Sequence, residues 1–78
     1  MRNLAELPPG QAGRVLCLRA GEGTGRRLMD LGFTPGARAA CVLAAPGDGM
    51  RAYRVRGAVI ALRRKEARTV ILEEENHE

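Results

Sequence analysis

At 78 residues the chain is expected to form one domain around a single small core, with no room for a separate catalytic lobe. Its 13 basic and 9 acidic residues leave a net charge of +4, unevenly spread: residues 24–72 are strongly basic, while Glu73, Glu74, Glu75 and Glu78 gather on the tail. No apolar run approaches the ~20 residues that span a bilayer, and the N-terminus lacks the basic-then-apolar pattern of a leader, so the reading is a cytoplasmic protein.

In chain order, Leu4 and Leu7 lie three apart before Pro8-Pro9-Gly10, which predicts one short helical turn closed by a type II Pro-Gly turn, both leucines capping the core. Residues 13–20 follow as a strand, with Val15 and Cys17 on one face and Leu16 and Leu18 on the other, apolar on both sides and therefore covered on both. Gly21-Glu22-Gly23 reads as an exposed connector.

Residues 24–43 carry the densest set of local signals. Thr24 can cap a helix over residues 26–31, placing Leu28 and Leu31 on one face. Gly32 then stops it, because a left-handed residue is nearly free for glycine and costly for any side chain with a Cβ. Thr34-Pro35-Gly36-Ala37 has Pro and Gly at the second and third positions of a type II turn. Phe33, the single Phe of the chain, should plug the core at that corner.

Residues 38–45 are the second strand, with Ala39, Cys41 and Leu43 on one face and Ala40 and Val42 on the other. The loop Ala45-Pro46-Gly47-Asp48-Gly49 joins it to a third strand over residues 50–55. There Tyr53 and Val55 must face inward together, leaving Arg54 and Arg56 in solvent. Gly57-Ala58 turns the chain into a strand over residues 59–62; residues 63–68 have room for one helical turn, and residues 69–72 form the last strand. Beyond it the acidic tail, residues 73–78, carries no apolar side chain. Five short strands, Pro-Gly turns and one inserted helix make a mainly β domain over residues 1–72, a small closed or nearly closed antiparallel barrel.

What chemistry the residues allow is limited. There is no phosphate loop of the G-x-x-x-x-G-K-[ST] type, and the glycines at 21, 23 and 25 lack the Lys and the strand-helix unit that such a cradle needs. Asp30, Asp48 and Glu66 sit among arginines and read as ion-pair partners, Asp30 with Arg26 one helical turn away. Cys17 and Cys41 have neither C-x-x-C spacing nor a secretory context, which predicts two buried free thiols on neighbouring strands. The only His, His77, stands with Glu73, Glu74, Glu75 and Glu78 in the tail, so no metal site and no cofactor is assigned. The chain is read as a binding module and not an enzyme.

The run R-R-L-M-D-L-G-F-T-P-G at residues 26–36 resembles the signature of the FeoA family, small cytoplasmic proteins that accompany the FeoB-type ferrous iron permease. The resemblance extends to L-P-P-G-Q-A-G-R-V upstream and to A-P-G-D-G-M and R-V-R-G-A-V-I-A-L-R-R-K-E-A downstream, covering residues 4–72. It implies an SH3-like barrel, a part in ferrous iron uptake, and a partner in the permease's cytoplasmic GTP-binding region. Arg26, Arg27 and Met29 on the helix, with Thr34 and Pro35 at the corner, form the favoured partner surface, since Arg and Met are enriched where proteins meet. The rival is the hairpin with Arg51, Arg54 and Arg56. Two other functions stand as alternatives: a basic barrel binding nucleic acid, whose affinity would fall steeply with salt, and a stand-alone relative of the SH3-like domain of metal-dependent repressors.

Overall fold

Residues 2–47 and 49–74 are described by the computed structural model. The readings of Asp48 as an ion-pair partner, of His77, Glu75 and Glu78 as candidate ligands, and of residues 75–78 as a frayed tail lie outside them. The chain opens on a 3-10 turn, Leu4–Glu6, capped by Asn3, whose Oδ1 accepts from the Ala5 N–H at 3.0 Å. Leu4 and Leu7 are both buried, as their spacing requires. Strands β1 (Ala12–Leu18), β2 (Arg38–Ala44), β3 (Met50–Val55), β4 (Ala58–Arg63) and β5 (Val70–Leu72) follow, with α1 (Glu22–Asp30) between β1 and β2 and α2 (Arg64–Ala67) between β4 and β5.

The strands form one antiparallel sheet in the order β4-β3-β2-β1-β5. Its two outer strands are joined in the chain by α2, whose Ala67 is fully buried. One interior cluster takes Val15, Ala39, Tyr53, Leu62 and Leu72 from the five strands, Leu28 from α1 and Phe33 from the corner after it. The sheet is therefore curled around a single core, with α2 linking the Arg63 end of β4 to the start of β5. Each fully buried Leu, Val or Phe contributes roughly 1.5–3 kcal/mol over its exposed state, and in so small a core none is redundant. Phe33 and Tyr53 meet edge to face, ring centroids 6.5 Å apart.

Several local expectations are corrected. The helix begins at Glu22 with Gly21 as its N-cap, not at Thr24, so Glu22 and Gly23 belong to its first turn rather than to a connector. The Gly25 N–H reaches the Gly21 carbonyl at 2.7 Å, and an acidic first-turn residue suits the positive end of the helix. The expected double cover of β1 fails because the pairing with β5 shifts between Val15 and Cys17. One extra residue on β1 leaves Leu16 half exposed and Cys17 only partly buried, while Leu18 swings back to pack on the core. A second shift between Cys41 and Leu43 turns Leu43 opposite Ala52, onto the outer face, where it is 64% exposed. The β3–β4 turn is Arg56-Gly57, both at positive φ, so β4 starts at Ala58; β5 starts at Val70, since the Thr69 backbone N–H still donates to the Glu66 carbonyl in the turn that closes α2. Arg51 does not belong to the solvent-facing arginines: it is buried. No Arg26–Asp30 ion pair forms among the described residues, where Glu66 pairs instead with Arg27.

Candidate functional site

The corner after α1 is held from three sides. The Phe33 N–H donates to the Leu28 carbonyl and the Gly32 N–H to that of Met29, each at 3.0 Å, which satisfies the last carbonyls of the helix. Gly32 sits at φ +114°, a region closed to branched side chains, and a Cβ there would also press on the Arg56 side chain at 3.2 Å. The next turn closes through Ala37 N–H to Thr34 carbonyl at 2.9 Å, with Gly36 at positive φ as a type II turn requires. Gly36 and Ala37 then exchange backbone bonds with Val15 of β1, both 2.8 Å.

The third tether is Arg56, which donates to the Thr34 hydroxyl at 2.8 Å and to the Gly32 carbonyl at 3.4 Å. Thus the helix corner and the end of the β3–β4 hairpin, read from sequence as rival surfaces, are one construction. The remaining candidates are distributed differently. Arg26 and Met29 share a face of α1 with Glu22 and Gly25, one turn and two turns apart, and line a cleft of about 460 Å³ against Leu18 and Ala20. Arg27 is on another side, exposed yet ion-paired to Glu66, whose other oxygen accepts the Arg63 N–H at 3.0 Å. Pro35 is exposed at the corner itself. Arg54 stands apart on the outer face of the sheet, between Ala40 and Val59 on the neighbouring strands.

A polar cluster inside the barrel was not recognised from the sequence. Arg51 Nε donates to the Tyr53 hydroxyl at 2.6 Å, and that hydroxyl donates to the Leu4 carbonyl at 3.0 Å. The Arg51 guanidinium also donates to the Leu7 carbonyl and lies 3.7 Å from the Cys41 sulfur. Among the described residues no carboxylate pairs with it. Burial pushes the Tyr53 hydroxyl above its ordinary pKa of 10.0, against the opposing influence of Arg51. The cluster fastens the N-terminal turn to β3, a structural task. The signal was available, since Arg51 is in phase with Tyr53 and Val55 along the strand. No group of three His, Cys, Asp or Glu side chains is gathered for a metal among the described residues.

Five antiparallel strands curled on one core define a small SH3-like barrel. The FeoA domain model matches residues 2–74, and the chain belongs to the FeoA family. It is 30% identical to Stenotrophomonas maltophilia FeoA, solved with zinc and described as an SH3 domain protein proposed to activate ferrous iron transport. That match has a TM-score of 0.84 and covers 94% of this chain and 91% of the other. With FeoA from Chlorobium tepidum it shares 32% identity at a TM-score of 0.84, over 97% of this chain and 76% of the other. A manganese-dependent transcriptional repressor superposes with a TM-score of 0.78 at 19% identity, over 92% of this chain and 41% of the other, which is a likeness of fold alone. Among curated proteins none matches by sequence. The family is associated with ferrous iron transport, and no helix among the described residues is long and apolar enough to cross a membrane.

Proposed function

We propose that the protein is a non-catalytic accessory module of ferrous iron uptake, acting by docking onto the cytoplasmic region of a FeoB-type permease through α1 and the corner that follows it. The observation that carries this reading is the contrast between how tightly the corner is fixed and how little of it the core needs. Leu28 and Phe33 supply the packing, while the bonds from Arg56, Val15 and the helix end fix the backbone beside the exposed Arg26, Met29 and Pro35. A corner whose backbone is already ordered loses little backbone freedom on binding, which favours affinity. Arg and Met, side by side over a shallow cleft, are both enriched at interfaces, and Arg is among the residues that carry most binding energy there.

Arg27 enters the test differently from its neighbours. Reversing its charge would set a carboxylate against Glu66 and disturb the start of α2, so loss of binding there would have two causes. Arg26→Glu with Met29→Asp is the cleaner variant. It is expected to abolish pull-down of the purified permease cytoplasmic domain while circular dichroism stays unchanged; retained pull-down by that variant contradicts the reading.

A further inference from the structure

A second surface goes beyond this reading and is independent of it. Strand β4 ends the sheet: it pairs with β3 through an unbroken register from Val55↔Ala58 to Met50↔Arg63, and among the described residues no other strand pairs with its far side. Edge strands normally protect their open backbone groups with charges, proline or a bulge. Between Ala58 and Leu62 there is neither charge nor proline, and the ladder shows no irregularity.

The outer face leading to this edge is apolar. The β2 shift that ejects Leu43 sets it in one cross-strand row with Ala52 and Ala61, and Val59, 54% exposed, lies two residues along β4. On β3 and β4 the charges of this face are Arg54, beside Val59, and Arg63, beside Met50, with Arg38 further from the edge on β2. Strands β1 to β4 contain no Asp or Glu at all, and the first acid after β4, Glu66, is taken by Arg27 and the Arg63 backbone.

We propose that β4 and this outer face accept an extended acidic segment of a partner polypeptide as an added antiparallel strand. The open backbone groups would supply the ladder, and Val59 and Ala61 would meet apolar residues on one side of the guest. Arg54 and Arg63 then require carboxylates at its flanks. A second copy of the chain fits less well, because it would bring its own arginines and its own charge of +4 to the same contact.

The test is an amide NMR titration of the full chain with the peptide acetyl-Glu-Thr-Val-Thr-Val-Thr-Glu-amide and with its analogue carrying Lys in place of both Glu. The expected result is shifts and slowed hydrogen exchange confined to residues 58–63 and their β3 partners, seen with the acidic peptide alone. They should weaken as salt is raised and be lost in Val59→Lys and in Arg54→Glu with Arg63→Glu. Absence of shifts with the acidic peptide, equal binding of the Lys analogue, or shifts centred on α1 would overturn the proposal. So would protection of residues 58–63 that rises with protein concentration in the absence of peptide, since the occupant would then be a second copy.

Discussion

Gly32 is the residue on which the most geometry depends. It ends α1, faces Arg56, and sets the direction in which the chain enters the Thr34-Pro35-Gly36 turn. Gly32→Val should therefore destabilise the fold by more than ~1 kcal/mol, and by more than Gly21→Ala, which loses a favoured N-cap residue at about 0.5–1 kcal/mol but has negative φ and open space around it. Urea midpoints of the two variants check this, and equal midpoints would contradict the helix-stop account. Arg51 and Tyr53 matter at the same scale, because each satisfies backbone carbonyls of the N-terminal turn. Arg51→Ala leaves the Leu7 carbonyl without its donor and should cost about 1–3 kcal/mol. The raised Tyr53 pKa means that the folded state holds this proton more tightly than the unfolded chain does. Stability is thus fully present below the ordinary value of 10.0 and falls as pH rises through the higher folded value. Denaturant titrations at stepped alkaline pH should show that fall in the wild type and a shallower slope in Tyr53→Phe.

At the scale of elements, α1 is a helix built with three glycines in or beside its first turn, and its propensity there is poor. Gly23 has open space where a Cβ would stand, so Gly23→Ala should raise stability by about 0.5–1 kcal/mol in urea unfolding. The same composition explains why the helix start was misread: Gly21-Glu22-Gly23 looks like loop, and only the tertiary anchoring of Leu28 extends the helix back through it. Turns were legible because Pro-Gly pairs and the glycine stop act locally, as at Pro9-Gly10, Gly32 and Pro35-Gly36. The exposure of Leu16, Val42 and Leu43 was not, because a register shift depends on how many residues the neighbouring strand offers, which alternation within one strand cannot reveal. Arg51 was legible by parity and misassigned by charge. Of the candidate site, Thr34 and Arg56 were each singled out, yet their mutual hydrogen bond joins segments 22 residues apart and no local pattern announces it.

For the whole molecule, the surface divides into a preordered corner after α1 and an open sheet face whose strands β1 to β4 carry no acid. The isolated protein is expected to hydrolyse no nucleotide and to carry no stoichiometric iron or zinc through gel filtration. Metal retained by the wild type and lost in Cys17→Ser with Cys41→Ser would move the cysteines from packing to ligation. Docking through α1 is tested by an amide shift map of the isotope-labelled chain titrated with the unlabelled cytoplasmic domain of a FeoB-type permease. The expected result is saturable shifts concentrated on residues 22–36, absent in Arg26→Glu with Met29→Asp. Shifts confined to other strands, or none at protein concentrations where the domain is folded, would contradict it.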